Sequence, residues 1–513
     1  MSRSYLRAGP GEWSNIDDNS TGVLMVVIDG GGRKFHLAPI DVEPYLVSDS
    51  KEKFVGAILN SPQHVESYNP WSFESSVQAV RFEAMSEHLP LRDLRKSGVV
   101  LQNMDASIYW GIANRGFSTL QSLHLYSGKV SMPAYDSQRG ISSFELEDVR
   151  LQGEKPFPPV IASRDLISTL VEEDSGKPYP VVVGSVKKLP LLEIDDTNHD
   201  NFLVMHDPAG EWSSPSQVSA IYSGDEVLTK LNENQGTDSD GNSYVQANVN
   251  SITSTRRGDV TADVEGHTPS TPGEAIRYLM SMYSDLKFDS ASLNRVDTAL
   301  ELVTLGLAFN SRARGVMDVI RGRLCKLLPI ILVQRGDLYE FSVFDWSSGP
   351  IRELVFGNQI MDYAKQPAET RRGEISTEVV VRYGRSGFRG EYTGVVSADK
   401  DSSNDCRLAF RRYGYGRPVE IDGGDLSDET SARWLLNYLV KTYCRMRVTV
   451  SYQVKLQYAV DLRLGDTVMI TDDTEGWSRI LFKVTGIRRG TDPTIVLDLL
   501  SVDDYIDVYG ANS

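Results

Sequence analysis

Asp461-Leu-Arg-Leu-Gly-Asp-Thr-Val-Met-Ile470 is followed, after Gly476-Trp477, by Ile480-Leu-Phe-Lys-Val484 and then by Ile495-Val-Leu-Asp-Leu499. Val468 and Ile470, then Ile480, Phe482 and Val484, then Ile495, Leu497 and Leu499 recur two apart. That is the period of a strand with one buried face, so three short strands are predicted here. The breaks between them, Asp472-Asp-Thr-Glu-Gly476 and Arg489-Gly-Thr-Asp-Pro493, are rich in residues that tolerate turn geometry. The stretch reads as a small antiparallel module with no evident active site.

Composition bounds the rest. A chain of 513 residues exceeds one compact core, and about 100 to 200 residues per domain predicts three to five domains. Hydrophobic residues at 40 % and charged residues at 24 % describe an ordinary folded protein. No window reaches the roughly 18 to 20 apolar residues of a membrane helix; the longest candidate, 324–333, is broken by Lys326 and Pro329. No stable membrane insertion is expected. The opening Met-Ser-Arg-Ser-Tyr lacks the apolar core of a signal peptide, so a soluble protein made in a cytoplasm is expected. Cys325, Cys406 and Cys444 are odd in number and widely spaced, which speaks against both disulfides and zinc. A net charge of -17 opposes approach to a phosphate backbone, and excess acid also keeps an edge-rich β protein soluble.

Short β-rich runs fill the first 150 residues. Val23 to Ile28, a glycine turn, and Lys34 to Leu37 predict a hairpin. Val77 to Phe82, Ala106 to Trp110, Leu123 to Val130 (interrupted at Ser127-Gly128) and Ile141 to Leu146 follow, favouring a sandwich or barrel. Lys155-Pro-Phe-Pro-Pro159 forces an extended path and marks a boundary. Strands are predicted at 176–184, 202–204 and 218–222, and a long polar loop or hairpin tip over 228–258. Val260 to Gly266 is a predicted strand, and a helix starts at Ser270 or Thr271 as cap, with Pro272 in its first turn and Ile276, Leu279, Met280 and Tyr283 on one face. Further helices are predicted at 296–302 and 314–328, a hairpin over 330–344, a strand at 378–383, a helix at 431–440 and a strand at 447–452. The fold class is mainly β with minor α, multidomain, in four segments: 1–154, 155–268, 269–374 and 375–513.

Sites for chemistry are not announced. Gly30-Gly-Gly32 follows a strand but leads into no helix, and no phosphate-loop spacing occurs. His199 and His206, near Asp195, Asp196, Asp200 and Asp207, are the closest approach to a metal cluster, and a polar loop explains them. Asp238-Ser-Asp240-Gly241 has the opening of a calcium loop without the Glu at its twelfth position, so a solvated turn is preferred. No G-x-S-x-G elbow appears, and the neighbouring carboxylates Asp195-Asp196, Asp472-Asp473 and Asp503-Asp504 point apart in an extended chain. Tryptophans 71, 110, 212, 346, 434 and 477 are scattered singly, as core or interface anchors are. We therefore expect no catalytic, cofactor or metal residues, and no enzyme.

The wording of the terminal strands, "L-x-L-G-D-x-V" followed by "F-x-V-x-G-I", resembles the C-terminal domain of bacteriophage tail hub proteins, and "G-K-P-Y-P-V-V-V-G-x-V" at 176–186 resembles part of their inserted domain. The order "T-P-G-E-A-I", "P-I-I-L-V-Q-R-G-D-L-Y-E-F", "E-V-V-V-R-Y", "A-R-W-L-L-N-Y-L" and "L-R-L-G-D-T-V" extends the resemblance over about 177–502. It implies several β-rich domains, two of them related barrels, with three copies forming a ring of approximate sixfold symmetry. Leu464, Gly465, Asp466, Val468, Trp477, Phe482 and Val484 are the structural or interface candidates on the matching motifs. The implied partners are two further copies, distal tail and tail-tube proteins, a tape measure protein and tip or fibre proteins, with DNA passing through without specific binding. The implied location is the tail tip or baseplate of a virion assembled in a host cytoplasm. The chain stops soon after the terminal module, so host binding and wall cutting are expected to lie in separate proteins. Two rival readings are a carbohydrate-active or carbohydrate-binding β protein and a receptor-binding adhesin using loops around 228–258.

Overall fold

A computed structural model describes residues 20–30, 33–41, 54–60, 63–77, 80–85, 87, 88, 94, 96, 98, 100, 102, 104–113, 119–147, 155–208, 218–250, 260–267, 271–370, 375–414 and 416–510. The chain forms two compact units, both discontinuous: Met1–Gln152 with Pro329–Arg372 and Arg445–Ser513, and Gly153–Leu328 with Gly373–Cys444. The four sequence segments run along the chain, whereas compactness groups stretches distant in sequence. The class is mainly β with minor α, as expected.

The first unit contains two curled sheets. Its seven-stranded sheet runs in the order Val55–Gly56, Arg33–Ala38, Thr21–Gly30, Asp105–Ala113, Thr119–Asp136, Ile141–Glu147, Val80–Met85. The two end strands meet, because Leu59 N donates to Glu83 O (2.8 Å) and Met85 N to Ala57 O (2.9 Å), so the sheet closes on itself as a barrel. Closure leaves no bare edge there. Val23, Leu24, Met25, Val26 and Ile28 are all buried. The first strand is thus covered on both faces, which is why it reads as an unbroken apolar run. The Thr119–Asp136 strand passes through Ser127-Gly128 without the expected interruption, since both residues stay in register with Ser107 and Ala106. Val77 to Phe82, expected as one run, divides into Glu74–Val77 and Val80–Met85, which join different sheets; Gln78 and Ala79 lie outside the described residues.

The terminal motif is not a self-contained three-stranded module. Its strands Thr467–Asp472, Trp477–Arg489 and Thr494–Ser501 form the middle of an eight-stranded sheet. Arg352–Val355 adds to one side, Val448–Lys455 and Ile360–Glu369 to the other, and the hairpin His64–Asn69/Glu74–Val77 pairs with the last residues of Trp477–Arg489. Three apolar strands cannot cover themselves, so partners come from wherever the chain supplies them. The sheet curls at a bulge between Val484 and Gly486, where a Cβ on Gly486 would lie 2.4 Å from Asp498 Oδ2. Its end strands are consecutive in sequence and start from one corner: Phe356 N donates to Thr471 O (2.9 Å) and Gly357 N to Ile360 O (2.9 Å). At that corner the buried Asp472 accepts from the hydroxyls of Tyr363 (2.6 Å) and Tyr452 (2.7 Å), tying opposite sides of the curled sheet together.

Hairpin and ring contacts join these two barrels. Trp110 Nε1 donates to Gly490 O (3.0 Å) and Gly22 N to Asp492 O (2.9 Å). The predicted hairpin Ile330–Arg335/Leu338–Val343 turns over Gly336 (φ +60°). It reaches one barrel through Gln334 Nε2 to Ser127 O (2.8 Å) and the other through Leu332 N to Ser75 Oγ (3.0 Å).

The second unit holds a five-stranded, a four-stranded and a three-stranded sheet with the helices of the chain's middle. Val182, Val204, Ile221, Val245, Val249 and Val264 belong to its main apolar core. The polar stretch after Leu228 is largely a strand hairpin, Lys230–Thr237/Ser243–Val249, and Gly258 lies outside the described residues. Asp238 organises its turn from the inside: it is buried, and accepts from Asp240 N (3.0 Å), Asn242 N (2.9 Å) and Tyr179 Oη (3.1 Å). The turn is solvated at Ser239, Asp240 and Gly241, as expected, and anchored from beneath by Asp238. Burial would raise the Asp238 pKa, but the Asn242 and Tyr179 hydrogen bonds hold it below the ordinary carboxylate value.

Helix Pro272–Tyr283 begins where predicted, with Pro272 at its start and Ile276, Leu279 and Met280 buried. Thr271 does not cap through its side chain; Asp297 of the next helix accepts instead from Gly273 N (2.7 Å) and Glu274 N (3.2 Å). That next helix spans Ser290–Ala299, six residues ahead of the predicted start, because Asp289 caps it by accepting from Ala291 N. The helical run from Val316 to Leu327 contains a π turn over Ile320–Leu324.

Candidate functional site

Five of the seven candidate residues lie inside the second barrel, and the other two shape its strand-entry loop. Leu464, Val468, Trp477, Phe482 and Val484 are buried, so they build the sheet and present little to a partner. Gly465 takes φ +83° and donates its N–H to Val484 O (2.8 Å). Asp466 closes the loop before the strand, its side chain accepting from Arg463 N (2.8 Å) while its carbonyl accepts from Val484 N (2.9 Å). The "L-G-D-x-V" wording thus encodes a left-handed turn that only glycine takes without strain, followed by a carboxylate that locks it.

Sequence reasoning passed over a buried ion cluster in the same unit. His64 and Glu66, on the hairpin that joins the second barrel, are fully buried. Arg335, from the 330–343 hairpin, grips Glu66 with both terminal nitrogens, one at 2.9 Å from Oε2, and Arg489 approaches at 3.3 Å from the barrel strand. Arg463 in turn pairs with Glu340, which lies 3.9 Å from Arg335. Burial would raise the Glu66 pKa, yet Arg335 and Arg489 outweigh it and bring the value down to about 2. Burial, with the two guanidiniums, holds His64 down to about 4 against the pull of Glu66. Three guanidiniums and two carboxylates thereby fix two hairpins and the 463–489 barrel segment to one register. Their only advance signal is the alternation His64, Glu66, Tyr68, in which polar residues occupy the inward positions.

Lys483 is a second buried cation in this barrel. It donates to Ser348 Oγ (2.5 Å) and Gly465 O (3.1 Å), and burial lowers its pKa to about 8. Its bonds to Gly465 O and Ser348 Oγ tie the strand-entry loop to the 345–348 turn, with Asp345 and Asp466 opposing the effect of burial.

The histidine and carboxylate groups singled out in the sequence come together only in part: Asp195 and Asp200 share a hydrogen bond, and burial, followed by that bond, raises the Asp200 pKa, with His199 near Asp200 and Asp207 near His206. His199 pairs with Glu193, while His206 meets Tyr283 Oη (3.2 Å) beneath a ring cluster with Tyr179 and His267. Asp195 closes its own turn on Thr197 N (3.0 Å) and Asn198 N (3.1 Å). Asp472 is committed to Tyr363 and Tyr452, and Asp504 accepts from Ile506 N (3.0 Å). Among the described residues no group of three or more His, Cys, Asp or Glu is placed to hold a metal, and no helix is long and apolar enough to cross a membrane.

Sheet edges differ in how they are guarded. Ile360–Glu369 is a ten-residue edge strand, but three register shifts, Pro367 and Lys365 blunt it. Tyr392–Ala398, the edge of the three-stranded sheet, carries an exposed Val395.

No protein-family description matches the chain, and no curated protein matches it. Among solved structures it is similar to a tail protein from Neisseria meningitidis MC58, at 10 % identity over 95 % of this chain and 98 % of that one, with a TM-score of 0.35. It is similar to the 43 kDa tail protein of prophage MuSo2 from Shewanella oneidensis at 8 % identity, 93 % and 98 % coverage and a TM-score of 0.38. A prophage tail protein from Listeria monocytogenes EGD-e gives 10 % identity, 93 % and 94 % coverage and a TM-score of 0.32.

Proposed function

We propose that this chain is a structural component of a bacteriophage tail tip or baseplate, a trimeric hub that works through shape and interfaces and catalyses no reaction. The observation that supports the reading is the pair of barrels within one unit, one closed from seven strands and one curled from eight. Two barrels per chain in three copies give six barrels around one axis, which is how a threefold object can meet a sixfold tube. The motif order between 177 and 502, which resembles tail hub proteins, supports the same reading. Its partners are then tail-tube, distal tail, tape measure and tip or fibre proteins, in the virion. DNA passes along the axis, and the excess of acid in the chain would keep it from adhering.

Light scattering on the full-length protein, alone and with its tail-tube protein, tests this. A mass near three times 57.0 kDa, alone or on adding the tube protein, is expected. A persistent monomer that ignores the tube protein overturns it.

A further inference from the structure

In the second unit two of the chain's three cysteines, 38 residues apart, lie with their sulfurs 3.5 Å from each other. Cys406 sits on the buried face of helix Asn404–Tyr413 beside Ala409, and Cys444 follows the last turn of helix Glu429–Tyr443, its N–H donating to Val440 O (3.0 Å). Both are buried, at 0 % and 2 % exposure. Their spacing in sequence gives no hint of this. We propose that Cys406 and Cys444 are a redox site that closes to an intramolecular disulfide, fastening the 404–413 helix to the end of the 429–443 helix, when the protein meets a two-electron thiol oxidant.

Closure requires the sulfurs to approach by about 1.5 Å, from 3.5 Å to the bonded distance of about 2.05 Å. Both positions can yield: Cys406 is in the first turn of its helix and Cys444 is a helix cap. The hydrogen bond from Cys444 lowers the Cys406 pKa, which favours Cys406 as the first thiolate to react. Cys325 is set apart, because burial pushes its thiol up to about 12. With diamide as oxidant, the Cys406 thiolate adds to the N=N bond. The Cys444 thiolate then attacks Cys406 Sγ, and the S–N bond breaks. Two thiols lose two protons and two electrons, and diamide leaves as the hydrazine. Because both sulfurs are buried, the reaction waits on local opening of the shorter helix. Nothing in this chemistry depends on the tail reading.

The test treats the folded full-length protein with diamide, quenches with acid, denatures, labels with N-ethylmaleimide and reads the intact mass. The expected result is a fall from three labels to one, a mass about 2 Da lower before labelling, a 406–444 linked peptide, and return to three labels with dithiothreitol. Cys406→Ser is expected to keep both of its remaining thiols under the same treatment, and Cys325→Ala to lose both of its own. Three labels persisting after diamide in the folded protein, a linked peptide containing Cys325, or a bond between two chains would each overturn the proposal.

Discussion

Glu66 offers the sharpest test of how the first unit is held together. Its side chain is fully buried, with Arg335 in a two-pronged pair and Arg489 at 3.3 Å. Glu66→Ala leaves two guanidiniums facing each other in the interior without their shared anion. Breaking a buried ion pair from one side costs about 3–5 kcal/mol, because the remaining charge stays desolvated. At roughly 2–4 °C per kcal/mol for a body of this size, the melting temperature of the first unit should fall by roughly 10 °C. Replacing Glu66, Arg335 and Arg489 together by Leu, Met and Met removes the charges as a set and should recover most of that loss. The pH dependence has a definite sign. The folded Glu66 pKa, about 2, lies below its ordinary 4.5, so its contribution is complete above 4.5 and is lost as pH falls towards 2. The His64 pKa is lowered from 6.5 to about 4. The unfolded chain then takes up the proton first, and stability also falls as pH drops through that window. Each group contributes on the order of 3 kcal/mol across its window. Thermal unfolding followed by circular dichroism from about pH 7.5 down to about 2 reads both windows, that of His64 first and that of Glu66 below it. A Glu66→Gln protein within about 1 kcal/mol of the parent, or a triple apolar variant as unstable as Glu66→Ala, would refute the reasoning.

Three further outcomes follow from geometry. Gly465→Ala places a Cβ 2.9 Å from Ile331 Cδ1 at φ +83°, and should cost about 1–3 kcal/mol, read as a lower urea midpoint for the first unit. Asp238→Ala strips the buried Tyr179 hydroxyl and the Asn242 amide of their acceptor, costing about 2–3 kcal/mol; amide exchange at Asp240 and Asn242 should accelerate while the His64–Asn69 strand stays protected. Asp297→Ala removes the acceptor for Gly273 N and Glu274 N and should cost about 1 kcal/mol, with faster exchange at those two amides, whereas Thr271→Ala should leave them unchanged.

Much of the local structure could be read from the residues. Alternation found the strands at 467–472, 477–489 and 494–501 because each has one face against a core, and apolar spacing found the 272–283 helix for the same reason. Where periodicity failed, a longer-range effect had replaced the local one. The first strand of the 230–249 hairpin is polar because much of it is exposed, so apolar alternation marks only the second, at Val245, Ala247 and Val249, and the turn depends on Tyr179 from 59 residues away. The missed start of the 290–299 helix has a local cause, an Asp289 cap whose helix carries few apolar residues.

The candidate residues show where the argument from wording reaches its limit. Leu464, Val468, Phe482 and Val484 stand out in the sequence because they are apolar at strand spacing, and that same property sends them into the barrel interior. A surface that meets another copy leaves no such rhythm, since an interface is about as apolar as the rest of the surface. The Glu66 cluster was invisible for a related reason. Its members come from positions 64, 66, 335, 340, 463 and 489, and each alone is an ordinary charged residue. What gives them meaning is the hairpin that leaves the first barrel between its two end strands and completes the second. With that hairpin shared, neither barrel keeps all of its hydrogen bonds if the other opens, and the buried ions penalise any slip in the pairing, because a shift by one residue would turn Glu66 away from both guanidiniums. A pair of barrels locked in this way can transmit load as one body.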